Sequence, residues 1–213
     1  MNIKKFINNW YNISVGLAAV SALIAIFFVD DMTQKLLWGS ISILFLHFFE
    51  EFGFPGGFPL MGMKVLMNSK EKDSTKWNCN NLNSMFGNWG FLFFLYILPL
   101  IFPDTRFLTL AAMLFLFAEF LMHVILFNVK QKSIYNPGLI TAVFGLTPIG
   151  IYYFANVYDG NLFAWYDFII AVAWFIAVFW FCFRSPIYWG LGSLKGYALT
   201  RRSAYGVLGG KNF

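Results

Sequence analysis

The 213-residue chain has only two histidines, His47 and His123, and each lies within one helical turn of a glutamate in an otherwise apolar run. In His47-Phe48-Phe49-Glu50-Glu51 the imidazole precedes Glu50 by three residues and Glu51 by four; in Glu119-Phe120-Leu121-Met122-His123 the pair is again four apart. Residues at these spacings are neighbours on a helix face. Imidazole beside carboxylate suits two kinds of chemistry. Neutral imidazole nitrogen and carboxylate oxygen bind zinc, iron or manganese, and inward Glu and His three or four residues apart build carboxylate metal sites in helical bundles. Without a metal, a buried Glu can act as general base while His donates to a developing oxyanion. We expect His47, Glu51, Glu119 and His123 as ligands of a divalent transition metal, zinc first and iron or manganese after it. Glu50, Glu51 and Glu119 are the candidate catalytic acids. No single helix carries the His-Glu-x-x-His pattern of zinc proteases.

Glu50 and Glu51 are about 100° apart on a helix with His47 between them in angle, so one of the two can turn away from the other pair. Asn88, Asn128, Asn136 and Thr141 are the further polar side chains expected near this cluster, as substrate contacts or supports for the ligands. Asn80, Asn81 and Asn83 are expected to approach it too. Asn136-Pro137-Gly138 reads as a turn, and the Pro- and Gly-rich segment 53–59 cannot continue a helix, so it should cap the cluster.

Apolar stretches must hold these groups in place. Hydrophobic residues are 59% of the chain, aromatics 22% and charged residues only 12%, about half the charged share of a soluble domain. A soluble enzyme and a nucleic-acid binder are excluded as first readings. Six stretches approach the roughly 20 residues that cross a bilayer as a helix: about 10–29, 36–52, 85–102, 107–129, 138–157 and 163–183. They lack the alternation of a membrane barrel. The expectation is one domain over residues 1–213, an all-α integral membrane protein of about six transmembrane helices. Thr147-Pro148 should kink the fifth span, and residues 58–67 fit a short interfacial helix.

Charge placement orients the chain. All but two of the 15 cations, Lys35 and Arg106, fall on the side of the amino terminus, the second-to-third and fourth-to-fifth connections and the tail that includes Lys211. By the positive-inside rule that side is cytoplasmic, both termini included. His47 and His123 come five and six residues before the cytoplasmic ends of their spans, a depth of roughly 8–9 Å. The polar site is therefore expected in the cytoplasmic half of the bundle, with its two halves at one level. The aromatic and basic tail suits anionic headgroups. Asp167 reads as an interfacial or capping residue.

The run His47-Phe48-Phe49-Glu50-Glu51 resembles the signature of the HXXEE-domain family of small multi-pass membrane proteins. Glu119 with His123, and Tyr135-Asn136-Pro137-Gly138, resemble further elements of it. The resemblance implies the fold and no reaction. An ionisable side chain inside a bilayer costs several kcal/mol, so such groups mark function by default. The expected function is a membrane metalloenzyme acting by metal-activated hydrolysis on a lipid or other amphiphile taken from the cytoplasmic leaflet, with a Glu as general acid or base. Its partners are then membrane lipids and that substrate. The alternatives are a metal-free Glu/His lipid isomerase or intramembrane hydrolase, a proton-coupled transporter, and a scaffold whose His–Glu pairs only join helices.

Overall fold

The computed structural model describes residues 2–207, all helical or irregular, with Lys211 outside the described residues. A short helix α1 (Ile3–Ile7) leads into α2 (Trp10–Phe27) and α3 (Met32–Phe52). Next come α4 (Phe58–Val65), α5 (Asn81–Ile101), α6 (Arg106–Gln131) and α7 (Leu139–Val157). The last three are α8 (Trp165–Arg184), α9 (Pro186–Gly192) and α10 (Arg201–Tyr205).

Five of these runs are long and apolar enough to cross a membrane: α2, α5, α6, α7, and α8 continued by α9. The remaining expected span, 36–52, lies inside the 21-residue α3. Its length suffices for a crossing, but Gln34, Lys35, His47, Glu50 and Glu51 dilute its apolar character. The count of long apolar helices is thus one below expectation because one helix carries half of the polar cluster.

Local sequence explains the boundaries. Asp31 accepts the Gln34 N–H at 2.8 Å and starts α3. Asn80 and Asn83 form a reciprocal capping box at α5, and Asp167 accepts the Ala164 N–H at 2.9 Å at the start of α8. Leu37, Ile41, Leu44 and Phe48 recur at helical spacing and are buried. Trp10 of α2 packs on Phe48 and Phe52 with ring centres 5.8 and 5.0 Å away, and Ser42 donates across to the Ala18 carbonyl at 2.8 Å. Small polar donors of this kind tie helices together where lipid offers none.

Three of the long helices widen locally into π turns, at Phe93–Ile97 in α5, Leu121–Phe127 in α6, and Ala142–Leu146 and Tyr153–Val157 in α7. In α7 the segment Ala142–Leu146 is π-helical just before Pro148, whose ring and missing N–H disturb regular winding. The Thr147 hydroxyl donates to the Ala142 carbonyl at 2.8 Å, beside the Thr147 N–H. In α6 the π turn spans Leu121–Phe127 and contains His123.

The tail packs back onto the connection that follows Glu51. Gly57 N–H donates to Ser203 O at 3.1 Å and Val207 N–H to Pro55 O at 2.9 Å. Gly56 has φ +74°, and a Cβ there would stand 2.6 Å from the Arg202 carbonyl oxygen; only glycine allows that approach. Asn80 Nδ2 reaches the carbonyls of Leu191, Gly192 and Leu194, and Asn81 Nδ2 that of Ala198. These asparagines, expected beside the His/Glu cluster, instead grip the tail. Asn136, Asn80 and Asn81 illustrate the ambiguity of an amide, which serves equally well at a site and at a backbone crossing.

Candidate metal centre

His47 and Glu51 project from the last turns of α3, Glu119 and His123 from the middle of α6, and the four side chains converge. The two imidazole centroids are 4.9 Å apart with planes at 88°. His47 Nε2 lies 3.5 Å from Glu51 Oε1 and 3.6 Å from Glu119 Oε2. His123 Nε2 lies 3.7 Å from Glu51 Oε1 and 3.2 Å from Glu119 Oε2. A tetrahedral ion with ligands at roughly 2.0–2.2 Å has donor-to-donor edges of about 3.3–3.6 Å. The four cross-distances straddle that value. His47, Glu51 and His123 are all buried and offer atoms mutually within 4.8 Å; Glu119 is the most open of the four, its side chain 17% exposed.

The outer nitrogens decide where the inner lone pairs point. Asn136 Nδ2 donates to the His123 carbonyl and to Asn128 Oδ1, both at 2.7 Å, which leaves Asn136 Oδ1 to accept from His123 Nδ1 at 2.6 Å. Thr141 Oγ1 is 2.6 Å from Glu50 Oε2 and 3.1 Å from the Gly138 carbonyl, so its single proton goes to an acceptor and its oxygen accepts from His47 Nδ1 at 2.8 Å. Each neutral imidazole therefore carries its proton on Nδ1. Both Nε2 lone pairs face the two carboxylate oxygens. Acceptors aimed at one another in a buried site need positive charge between them, which a bound metal or protonation of the imidazoles supplies, and an outer hydrogen bond that fixes the ligating tautomer is the usual support of a metal-bound histidine. The residues present fit a divalent metal.

Thr141→Val removes the acceptor of His47 Nδ1–H and one donor to Glu50. It is expected to weaken metal binding about 10–100-fold, read by competition with a chromophoric chelator. Unchanged affinity would remove Thr141 from this account.

Glu50, expected among the catalytic acids, faces α7 instead. Its oxygens accept from the Tyr135 hydroxyl (3.0 Å), Ile140 N–H (3.1 Å), Thr141 N–H (2.9 Å) and the Thr141 hydroxyl (2.6 Å). The carboxylate thus satisfies free N–H groups in the first turn of α7, where its charge also suits the helix dipole. Burial and the adjacent Glu50 charge push the Tyr135 phenol above its usual range, which keeps it a donor.

Gly138 closes the site from the turn. Its φ is +99°, and a Cβ there would overlap His123 Cε1 and stand 2.7 Å from His47 Cε1. The backbone between Pro137 and Leu139 is laid directly against both imidazoles. On the far side the Phe58 and Phe127 rings lie 6.3 and 5.3 Å from His123.

The cluster opens on a cavity of about 460 Å³, within the roughly 300–1,000 Å³ of small-molecule sites. His47, Glu51, Glu119 and His123 line it, with aromatic and aliphatic groups from α4, α5, α6 and α8 over most of the remainder. Asn88 lines it as well, its Nδ2 bonded to the Ser84 carbonyl at 2.9 Å. Asn128, Asn136 and Thr141 stand behind the ligands, not in the cavity. Glu50 is not among the lining residues.

Residues 38–153 match a family described as "Protein of unknown function with HXXEE motif". The chain belongs to the HXXEE family. Neither the curated proteins nor the solved structures yield a match. The matched HXXEE region contains every side chain of the cluster and its supports, from His47 to Thr141, and ends before α8. Within the family motif the geometry separates the two acids: Glu51 turns to the histidines and Glu50 to the turn that holds one of them.

Two features of the site escape sequence reading: Tyr135 donates to Glu50 and Gly138 touches both imidazoles. The Pro-Gly dipeptide signals a positive φ, which is the only advance sign of the second. Phe58, in the 53–59 segment expected to cap the cluster, covers His123.

Proposed function

We propose that this HXXEE protein is a multi-pass membrane metalloenzyme that acts on an amphiphile bound in the cavity beside the cluster. The observation carrying this reading is the pair of Nδ1–H donors, to Thr141 and Asn136, that aim both Nε2 lone pairs at Glu51 and Glu119. His47, His123 and Glu51 hold the ion, a two-histidine, one-carboxylate set of the kind catalytic zinc uses. Zinc is the first choice, iron or manganese the next. When bound, the ion polarises the substrate oxygen and acidifies water.

Glu119 takes a separate role because it is the least enclosed of the four. Its carboxylate stands 3.2 Å from His123 Nε2 and 3.6 Å from His47 Nε2 at the edge of the donor set, where it would be within reach of the proton of a water held beside the other three side chains. In the hydrolysis proposed, water oxygen bonds to the electrophilic atom of the scissile bond, Glu119 takes the proton and returns it to the leaving group. Glu50 does not take part in proton transfer and positions His47 through Thr141. The cation distribution supports a site in the cytoplasmic half of the membrane, with substrate arriving from that leaflet.

Metal analysis of detergent-purified protein by plasma mass spectrometry tests this reading, together with two conservative variants. Wild type is expected to carry about one equivalent. Glu51→Gln should lower occupancy sharply, whereas Glu119→Gln should keep most of the metal and lose turnover by about 100-fold or more. Substoichiometric metal in wild type, unaltered by Glu51→Gln, would mean that the cluster is a set of imidazolium–carboxylate pairs joining α3 to α6.

A further inference from the structure

Beyond the ligand cluster, the cavity has one cationic side chain in its lining, Arg184 at the end of α8. Among the described residues no carboxylate pairs with it. One guanidinium nitrogen donates to the Phe183 carbonyl at 3.2 Å, and the group lies 5.7 Å from the centre of the Phe179 ring. These contacts leave most of its five N–H donors free. Tyr188 lines the same cavity, its ring 6.0 Å from that of Phe183, and its hydroxyl has no hydrogen-bond partner among the described residues. A half-buried guanidinium and a phenol facing an apolar cavity, with no acid to pair with, form a receptor that lacks its anion.

The chain of rings below Arg184 shows what kind of anion fits. Phe175, Phe179 and Phe183 stand at four-residue intervals on α8 and line the cavity. Their neighbouring ring centres are 6.4 and 5.4 Å apart. Together they make an apolar ribbon roughly 12 Å long running inward from the guanidinium. Phe175 meets Phe115 of α6 at 6.0 Å. Glu119 and His123 follow Phe115 on α6 by four and eight residues and line the same cavity as Phe179 and Phe183. An extended chain lying on the ribbon would therefore share that cavity with the cluster.

We infer that Arg184 and Tyr188 bind the anionic head of a single-chain amphiphile, a carboxylate or a phosphate, whose tail lies along Phe183, Phe179 and Phe175. The inference rests on the proposed enzymatic reading and adds the charge and orientation of its substrate. Both head-binding residues lie outside residues 38–153, the part of the chain that matches the family, so head selectivity is a property of α8 and α9 and not of the motif.

The test uses the full chain, metal-loaded, in maltoside micelles. Tryptophan fluorescence titrations compare dodecyl phosphate with dodecanol, and inorganic phosphate serves as the chain-free anion. Wild type is expected to prefer dodecyl phosphate over dodecanol by roughly tenfold or more, the range for a charge-assisted hydrogen-bonded contact. Arg184→Gln should erase that preference, Arg184→Lys should restore part of it, and dodecanol affinity should stay within about twofold throughout. Tyr188→Phe gives a smaller loss in the same direction and keeps the inference testable if Arg184→Gln does not fold.

Three results would overturn the inference. One is an unchanged preference in both variants. The second is equal binding of inorganic phosphate, which would make this an anion site without a tail. The third is loss of the preference in His47→Ala but not in Arg184→Gln, which would seat the head on the metal. Metal content, measured on the same Arg184→Gln samples, separates the two readings: full occupancy with lost head selectivity supports both, and absent metal in wild type removes the enzymatic reading while leaving the head-group site to stand on its own titration.

Discussion

His123→Ala and His47→Ala proteins, purified in detergent, are each expected to carry less than roughly a tenth of an equivalent of metal where wild type carries about one. Either change takes away one of three enclosed donors, and the remaining imidazole with two carboxylates cannot complete a tetrahedral set from this chain, because Glu50 is held by four other hydrogen bonds. The variants should differ in their effect on the fold. Loss of the His123 ring leaves Asn136 still anchored by the His123 carbonyl and Asn128, whereas loss of His47 leaves Thr141 bonded to Glu50. Neither network collapses, so plasma mass spectrometry can be read on folded protein, with elution volume as the check. Metal retained near wild-type level in both variants would sink the centre.

Gly138→Ala is expected to abolish metal binding to a similar extent although it removes no ligand. The added methyl would occupy space held by Cε1 of both imidazoles, and the φ of +99° is one that alanine avoids. Off-region backbone and forced overlap together cost roughly 2–4 kcal/mol. The strain is relieved by pushing the rings apart or by shifting the 136–138 turn, and either movement spoils donor separations now between 3.2 and 3.7 Å. Chelator competition on Gly138→Ala, compared with Gly62→Ala on α4, where the nearest atom to a Cβ is an ordinary contact at 3.7 Å, isolates the effect. Equal affinity in the two variants would show that the turn does not define the site.

Much of this architecture is legible in the sequence because it depends on period and polarity alone. The apolar stretches become helices with ends a few residues from those expected, and His47 with Glu51 and Glu119 with His123 fall on shared faces because a four-residue step nearly closes a turn. The choice between Glu50 and Glu51 is not legible. Both are plausible partners of His47 on one helix, and only the position of Thr141 and the first turn of α7 decides which turns away. The π turn in α6 also leaves no periodic trace, since Leu121–Phe127 is apolar on every side but that of His123. Such widened turns recur at functional sites; here one carries His123. Asn80 and Asn81 mislead for a different reason: an amide signals an unmet backbone bond as readily as a site, and the tail supplied the carbonyls.

The contact of Gly56 and Gly57 with Arg202 and Ser203 has a consequence for how the protein is made. The segment that follows Glu51 stays without its partner until every long helix has been synthesised and inserted, because α10 comes after all of them. A nascent chain could assemble the four donors as soon as α6 and the Gly138 turn are in place, yet the cover over them would still be loose. The order of synthesis thus makes the four donors available before the tail can dock on the segment that follows Glu51.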